Sequence, residues 1–439
     1  MRINNNICKI MFLVATFLVT LNTMAQQDRN VIWVHGLGGD ASSWEHYSTL
    51  FDSERQINSL REGYYTANGI TAAGNLVKTS MNVLGIDATN SQNLGIGHSM
   101  GGLMIRDIDR LTPINVKRFG GYITVATPNY GAPIANSLLD GDVTSAASNA
   151  CNKLIAGPAA QLFGLPWTIV NNITNNDICG SFIDDDLIQG LQGSPVTNND
   201  LRVGSATIDS INNYATNIPR ISIWAEENSP VHWRLISSTI SNNDTEWISI
   251  ANDARSVYNS HYANNFALAI AHAFIDPVGA ALFSYRATEW KKGRDWIDDS
   301  ETIWSSLIKT TRTEQETYWE EIWEPCPYPP NYPPPPAANP NGNNAIALKS
   351  VDPDCGEWVW QELTRYVTVN YPSDGFLPKY TQIMVDNPTP DNVFHVLGAN
   401  HTEVRNMSNS TLNGQPNDAT KDRFDEIFNR PEPDFFHTD

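Results

Sequence analysis

Short apolar runs alternate with helix-type patterns over the first third of the chain. Val31–Val34 is an apolar run that stops at the glycine-rich turn His35–Gly39, which is typical of a buried strand. The other strand candidates lie at 93–97 and 121–126, and helical patterns lie at 44–50, 72–84 and 102–111. Strands that alternate with helices predict a mostly parallel sheet with helices on both faces, a doubly wound α/β fold.

Two long insertions interrupt this alternation. Residues 134–217 are rich in Asn, Ser, Ala and Gly, and 228–365 contain helical patterns at 253–282 and 296–323 before a Pro- and Asn-rich loop. Strand patterns return at 218–224, 365–369 and 393–397. The predicted segments are a leader (1–25), a core part (26–133), an insertion (134–217), a core strand (218–227), a second, helical insertion (228–365) and a last core part (366–439).

The amino terminus has the pattern of a signal peptide. Basic residues flank the start of an apolar run from Ile10 to Leu21, and residues 23–25 (Thr-Met-Ala) offer a small-residue cleavage site. We therefore expect a secreted, periplasmic or cell-surface protein. The run is too short to span a bilayer comfortably, and no other stretch approaches that length, so no stable membrane insertion is expected.

The cysteines fit an exported chain. Cleavage after Ala25 would remove Cys8 and leave four cysteines, an even number that predicts two disulfides. Of the possible pairings we expect neighbours along the chain to pair, which gives Cys151–Cys179 and Cys326–Cys355. The spacing lacks the C-x-x-C form of zinc ligands, so no zinc site is predicted.

The charge balance argues against one class of partner. Lys and Arg number 28 and Asp and Glu number 48, which gives a formal net charge of −20. Such a chain offers no cationic surface to displace the counterions of phosphates, so no nucleic-acid partner is predicted. Anionic bilayers are disfavoured for the same reason.

One short motif carries the candidate chemistry. The segment Gly97–Gly101 has the form G-x-S-x-G, with Ser99 at its centre, and lies between a predicted strand and a predicted helix. Such a turn holds the serine at a sharp corner, where a base can take its hydroxyl proton. The backbone N–H groups of Met100 and of Leu37, after the first strand, are the predicted oxyanion hole.

Five segments, HGLGG, GHSMGG, ATPNYGAP, SDGFLP and ANHTEV, together resemble the α/β-hydrolase superfamily and, within it, secreted bacterial lipases and esterases. The resemblance covers about residues 28–135, 218–227 and 366–430. It implies an α/β-hydrolase fold with large lid-like insertions, and catalytic residues in the chain order serine, acid, histidine.

The resemblance implies Asp374, in a D-G-x-x-P segment, as the acid and His401, after the last strand, as the base. Glu226 and Glu227 are rival acids because they directly follow an earlier strand, where many hydrolases carry the acid. His395 lies within the last strand and is expected to pack against its neighbours.

Some of these relatives bind a structural calcium beside the catalytic histidine. Glu403 stands where they place an acidic ligand, but Met407 falls where a further polar ligand is expected. No calcium, other metal or cofactor is therefore predicted.

The function that these observations imply is a secreted serine hydrolase, a lipase or carboxylesterase, that cleaves small-molecule or lipid esters through an acyl-enzyme. An amidase, a thioesterase or a GPI-type deacylase would use the same triad. A catalytically silent surface-binding protein would keep only the fold. The oligomeric state is not predicted.

Two interpretations of the insertions stay open. In this superfamily, insertions at these positions form lids, and an apolar lid over Ser99 would favour an acyl chain and exclude water. Alternatively, the tryptophans at 296, 304, 319 and 323 form a satellite core, as aromatic residues at helical spacing commonly do.

Overall fold

Six strands form a sheet in which every neighbouring pair is parallel. In spatial order they are β2 (Ile57–Arg61), β1 (Arg29–Val34), β3 (Leu94–His98), β4 (Gly121–Val125), β5 (Arg220–Glu226) and β8 (Val393–Leu397). The chain winds outward from β1 to β2 and then back across β3 toward β8, so its direction reverses between β1 and β3. The predicted parallel sheet is confirmed.

The computed structural model describes residues 29–55, 57–83, 92–113, 116–163, 193–227, 244–273, 275–325, 356–384, 391–406, 411–412 and 415–438. The predicted leader at 1–25 lies outside these ranges. Both predicted disulfides also fall outside the described residues, because Cys179, Cys326 and Cys355 do. The chain divides into a smaller unit, Thr311–Asn370, and a larger unit that contains the sheet.

Helices cover both faces of the sheet. Side chains of β1 alternate between two buried clusters, so that Val31 and Trp33 join one and Ile32 and Val34 join the other. The first cluster is completed by α1 (Glu45–Glu54) and α11 (Ala419–Phe428), and the second by α2 (Ile70–Val83) and α3 (Met100–Leu111). The predicted doubly wound arrangement is therefore confirmed.

The other described helices belong mostly to the insertions. They are α4 (Pro133–Leu139), α5 (Asp142–Phe163), α6 (Pro195–Leu201), α7 (Ala206–Asn212), α8 (Asp244–His272), α9 (Pro277–Leu307) and α10 (Lys379–Gln382). Two short strands, β9 (Thr411–Leu412) and β10 (Gln415–Pro416), pair with each other. Among the residues that the structure describes, no helix combines the length and apolar character needed to cross a membrane.

The predicted helix over 296–323 is wrong beyond residue 307. Helix α9 ends at Leu307, Lys309 adopts a positive φ of 57°, and Thr311–Pro325 forms strand β6. The apolar residues at 318, 319, 322 and 323 have helical spacing. The segment is nevertheless rich in Thr and aromatic residues, which favour a strand once a partner is available.

That partner is β7 (Gly356–Asn370), which pairs antiparallel with β6 along its whole length. The strand predicted at 365–369 is part of β7 and does not join the six-stranded sheet. Residues 366–370, predicted to belong to the core, therefore belong to this β6–β7 ribbon. A period of two along the sequence identifies a strand but not its neighbour.

The ribbon starts and ends at adjacent residues of the larger unit. The N–H of Tyr371 donates to the carbonyl oxygen of Thr310 over 2.8 Å. The two chain segments that flank the ribbon are thus held side by side within the larger unit.

The four tryptophans considered as a lid or satellite core, at 296, 304, 319 and 323, have three kinds of surroundings. Trp296 is buried in a small cluster with Ala150 and Leu154 of α5, so for this residue the satellite-core interpretation is correct. Trp304 joins one of the two large clusters beside the sheet. Trp319 and Trp323 lie on β6 and are exposed.

Candidate active site

Ser99 occupies the corner between β3 and α3. Its φ of 54° and ψ of −130° lie in a region that residues other than glycine rarely adopt. The N–H of Ser99 donates to the carbonyl oxygen of Val125 (3.0 Å), and the N–H of Gly102 donates to the carbonyl oxygen of Ser99 (3.1 Å). A strained serine between a strand and a helix has the geometry of a nucleophile elbow.

The glycines beside Ser99 are required by the available space. A Cβ atom on Gly97 would lie 2.5 Å from the backbone nitrogen of Gly102. One on Gly101 would collide with the carbonyl oxygen of Val34. The first turn of α3 can therefore lie directly against the ends of β1 and β3, which is the tight packing expected from the motif.

Ser99, His401 and Asp374 form a chain of hydrogen bonds. His401 Nε2 lies 3.0 Å from Ser99 Oγ, and His401 Nδ1 lies 2.7 Å from Asp374 Oδ2. Because an ionised carboxylate only accepts hydrogen bonds, the ring proton lies on Nδ1 and Nε2 is left to accept the serine proton. His401 and Asp374 are fully buried, and Ser99 is 7% exposed. The structure thus brings together three predicted residues, although Ser99 and His401 are 302 positions apart.

The second carboxylate oxygen of Asp374 is held by the backbone of its own turn. Asp374 Oδ1 accepts hydrogen bonds from the N–H groups of Phe376 (2.9 Å) and Leu377 (2.6 Å). Gly375 has a positive φ of 86°, which closes the turn. From α9, Trp304 Nε1 donates to the carbonyl oxygen of Gly375 over 2.6 Å. Through Trp304, the second predicted insertion (228–365) therefore contributes directly to the turn that carries Asp374.

The rival acids have other partners. The Glu226 carboxylate lies 2.9 Å from His395 Nε2, and the ring of His395 stacks on Trp224 with 3.9 Å between centroids. Glu227 is buried, and its N–H donates to the carbonyl oxygen of Ser373 over 2.7 Å. Asp374, and neither glutamate, supplies the carboxylate at His401.

The loop after β1 lies against Ser99. A Cβ atom on Gly36 would be 2.7 Å from Ser99 Cβ and 3.2 Å from Ser99 Oγ. The next residue, Leu37, is buried, as is Met100 in the first turn of α3. N–H groups in the first turn of a helix have no acceptor within that helix, so the N–H of Met100 meets one requirement of an oxyanion donor. The assignment of Leu37 and Met100 as the oxyanion hole stays a prediction.

Two further histidines beside the triad are kept neutral by burial. His98 Nε2 donates to the carbonyl oxygen of His401 over 2.7 Å. Burial, with smaller effects from His401 and Arg405, holds the pKa of His98 well below its usual range. Burial also lowers the pKa of His35. His98 can therefore anchor the backbone of the base without placing a positive charge beside it.

Gln382 links the acid turn to the sheet and was not singled out from the sequence. Its side chain is fully buried; Oε1 accepts from the N–H of Ala225 (2.9 Å), while Nε2 donates to the carbonyl oxygens of Ala225 (3.2 Å) and Leu377 (2.8 Å). At the end of β5, the side-chain amide of Gln382 thus makes the hydrogen bonds to Ala225 that the backbone of a neighbouring strand would otherwise make. Because the N–H of Leu377 binds Asp374, Gln382 connects the turn of Asp374 to the end of β5.

Asn129 continues this network to α3. Its Nδ2 donates to the carbonyl oxygen of Gln382 (2.6 Å), and its Oδ1 accepts from Arg106 Nη1 (2.9 Å). Arg106 Nη2 donates to Asn212 Oδ1 over 2.7 Å. Asn129 lies within the ATPNYGAP segment, so the sequence contained a signal for it, whereas Gln382 stands outside every motif.

Glu403, the residue in the position of a calcium ligand, is engaged in a local turn. Its Oε2 accepts from the N–H of Asn400 (3.0 Å), and its own N–H donates to Asn400 Oδ1 (2.9 Å). In the described part of the chain, no group of three or more His, Cys, Asp or Glu side chains is arranged to hold a metal ion.

The doubly wound parallel sheet, the strained serine between β3 and α3, and the chain order serine, acid, histidine are features of the α/β-hydrolase fold, and the protein has that fold. Ser99 lies where such sheets bind ligands, at the carboxyl end of a strand beside the reversal of winding direction. No protein-family model matches the sequence, and no curated protein matches it.

Solved structures similar to part of the chain are α/β-hydrolases. An extracellular α/β-hydrolase from a Paenibacillus species has 13% identity and a TM-score of 0.26, over 44% of this chain and 76% of that one. An epoxide hydrolase of this superfamily from metagenomes of hot environments has 14% identity and a TM-score of 0.26, over 46% and 76%. A thermophilic esterase from Thermogutta terrifontis has 14% identity and a TM-score of 0.24, over 46% and 72%. Likenesses this distant do not identify a substrate.

Proposed function

We propose that this protein is a serine hydrolase that cleaves carboxylic esters. The observation that carries the proposal is the unbroken chain from Ser99 Oγ through His401 to Asp374, with separations of 3.0 and 2.7 Å. A serine hydroxyl is a weak nucleophile until a neighbouring base removes its proton. A serine with a purely structural role does not need an imidazole acceptor at its hydroxyl and a carboxylate behind that imidazole.

Acylation follows from this geometry. As Ser99 Oγ forms a bond to the carbonyl carbon of the ester, its proton passes to His401 Nε2. The carbonyl oxygen becomes negatively charged and is stabilised by the N–H groups of Leu37 and Met100. When the intermediate collapses, the bond to the alcohol oxygen breaks and His401 returns the proton to the leaving alcohol. Asp374 keeps the imidazole in the required tautomer and stabilises its charged form.

Deacylation repeats these steps with water. A water molecule gives its proton to His401 Nε2 as its oxygen attacks the acyl carbon, and the second intermediate collapses to release the acid. Ser99 Oγ then recovers the proton. Both steps use the same atom, His401 Nε2, as the proton acceptor.

The surroundings of the triad favour an uncharged substrate. The ring of Phe376 lies 5.1 Å from that of His401 between centroids, so the triad has an apolar neighbour. A charged acyl group would lose hydration in such a site. Amides, thioesters and acyl groups of GPI-type lipids pass through the same kind of tetrahedral intermediate, so kinetics must separate an esterase from these alternatives.

The test uses p-nitrophenyl esters of graded acyl length, with the matched p-nitroanilide and thioester of the preferred acyl group. We expect turnover of at least one ester, a larger kcat/KM for the ester than for the anilide or thioester, and a loss of at least about 1,000-fold in Ser99→Ala. Ser53→Ala, which removes an exposed hydroxyl on α1, is the control and should keep wild-type rates. The absence of turnover of every ester would refute the proposal.

We also propose that the segment 1–25 directs export of the protein. The pattern of basic residues, apolar run and small-residue site supports this. Amino-terminal sequencing of the protein from the producing cell should find a chain that starts at Gln26, outside the cytoplasm. An uncleaved chain retained in the cytoplasm would contradict the proposal.

A further inference from the structure

The β6–β7 ribbon carries its tryptophans on one side. Pairing is uninterrupted from Thr311–Asn370 to Pro325–Gly356, so paired residues point to the same side and successive residues to opposite sides. One side, which we call the aromatic face, therefore carries Trp319, Trp323, Trp358, Trp360 and Tyr366. The opposite side carries the half-buried apolar residues Tyr318, Ile322, Val359, Leu363, Val367 and Val369.

The rings of the aromatic face are far more exposed than tryptophans usually are. Trp319, Trp358 and Trp360 are 61%, 62% and 64% exposed, and Trp323, which leans over Gly356, is 40% exposed. Several large rings clustered on the surface of one element are typical of an interaction site.

Polar groups lie between these rings. Trp360 is paired with Glu321 and Trp319 with Glu362, so each of these rings has a carboxylate opposite it on the same face. Trp323 is paired with Trp358, and their rings lie 5.5 Å apart at 66°. The row continues with Thr317 paired to Thr364 and Gln315 paired to Tyr366. From the Trp323–Trp358 pair to Tyr366 the row spans about 26 Å at the rise of a strand.

The charge of the ribbon narrows the choice of partner. It carries the carboxylates of Glu314, Glu316, Glu320, Glu321, Glu324, Glu357 and Glu362 but only two cations, Arg312 and Arg365. Anionic polymers and anionic bilayers are repelled by this excess, and two ribbons stacked on each other would oppose like charges. A neutral bilayer would have to strip water from Glu321 and Glu362, which stand among the rings.

We propose that the aromatic face binds a neutral polysaccharide. The flat face of a sugar ring presents C–H groups with positive partial charge, which are attracted to the negative face of an indole ring. Its hydroxyl groups donate hydrogen bonds, and carboxylates such as Glu321 and Glu362 are strong acceptors for them. A row of rings along an extended ribbon suits an extended polymer, because several weak contacts then act together. This binding is independent of hydrolysis at Ser99 and goes beyond it.

The test measures binding of the full chain to microcrystalline cellulose and chitin by depletion, and to xylan, mannan and mixed-linkage β-glucan by affinity electrophoresis. We expect saturable binding to at least one of them. The Trp360→Thr and Trp319→Thr variants should each bind it about tenfold more weakly, and the double variant should show no retention. Threonine is the replacement because it keeps the strand preference and already occurs on this face.

Two variants distinguish loss of the rings from loss of the ribbon. Val359→Thr makes a similar change between Trp358 and Trp360 but on the opposite side, and should bind like the wild type. Trp360→Tyr keeps an aromatic ring and should recover most of the binding that Trp360→Thr loses. The Ser99→Ala protein should bind fully, which separates this proposal from the proposed hydrolysis. Failure to bind any of the five polysaccharides, equal binding by the double variant, or binding only to phosphatidylcholine vesicles would overturn the proposal.

Discussion

His401 is joined to Asp374 by two hydrogen bonds, one from the backbone and one from the ring. The main-chain N–H of His401 donates to the carbonyl oxygen of Asp374 (2.8 Å), and Nδ1 donates to Oδ2 (2.7 Å). His98 adds a third contact at the carbonyl oxygen of His401. The backbone of His401 is therefore fixed by contacts that do not involve the carboxylate, whereas the orientation and tautomer of its ring depend on the carboxylate of Asp374.

The Asp374→Asn variant should lose activity without losing its fold. An asparagine amide can present N–H to Nδ1, which moves the ring proton to Nε2 and removes the acceptor for Ser99. We expect kcat for ester hydrolysis to fall by about 10⁴ with little change in the melting temperature. Glu226→Gln and Glu227→Gln are the matched controls and should retain activity. If either glutamate variant were inactive while Asp374→Asn remained active, the acid would be misassigned.

Gln382→Met should loosen the acid turn. The change keeps the length of the side chain but leaves the N–H of Ala225 and two carbonyl oxygens without their partner. We expect the free energy of unfolding to fall by about 1–3 kcal/mol. We also expect kcat to fall with little change in KM, because Leu377 also binds Asp374. Urea unfolding and steady-state kinetics check this, with Gln361→Met on the exposed ribbon as control. Reduced stability with an unchanged kcat would show that Gln382 does not position the acid.

Trp304→Phe tests the contribution of the second insertion to the site. Phenylalanine retains much of the packing but cannot donate to the carbonyl oxygen of Gly375. We expect a loss of about 1 kcal/mol in stability and a several-fold lower kcat. The matched control is Trp290→Phe on the same helix; Trp290 is also buried, and its Nε1 has no hydrogen-bond partner among the described residues. An equal fall of kcat in both variants would argue against a specific role of Trp304.

Stability should decrease as the pH falls below about 6.5. Burial lowers the pKa of His98 and His35 in the folded protein, so below that pH the unfolded chain binds protons that the folded chain does not. The free energy of unfolding then falls by up to about 1.4 kcal/mol per pH unit for each histidine. Above the pKa that these histidines have in the unfolded chain, neither of them makes stability depend on pH. The titratable groups that face His98 are His401, His35 and Arg405, and a positive charge on any of them disfavours its protonation.

His98→Gln isolates this effect, because it removes the titrating ring and keeps an N–H donor for the carbonyl oxygen of His401. Urea unfolding across about pH 5–8 should show a shallower loss of stability at low pH in this variant than in the wild type. Carboxylates such as Asp425, whose pKa is lowered by Lys421 and Arg55 against the effect of burial, lose their contribution at lower pH in both proteins. Parallel curves would contradict the assignment to His98.

The sequence was most informative where the interactions are local. The turn around Ser99 is defined by consecutive residues, so motif and strand pattern suffice to place it. The turn at Asp374 was placed by its D-G-x-x-P segment alone, because the strand predicted before it belongs to the ribbon. Edge strand β2 was missed because Asn58 and Ser59 interrupt its apolar pattern, which an exposed edge tolerates. Gln382 left no signal, since its role depends on where β5 ends in space. The ribbon was misassigned because strand pairing across 30 or more residues is not encoded in either strand alone.

The hydrogen bond between Tyr371 and Thr310 has a consequence for how this chain could have evolved. Since both ends of the ribbon meet there, 60 residues could be gained, lost or exchanged without rerouting any strand of the sheet. Closing so short a gap with two or three glycines costs little chain entropy. The ribbon is in this sense a module that can be inserted or deleted without changing the rest of the fold. A hydrolase with such a junction can acquire or lose a binding surface while the residues around Ser99 stay the same.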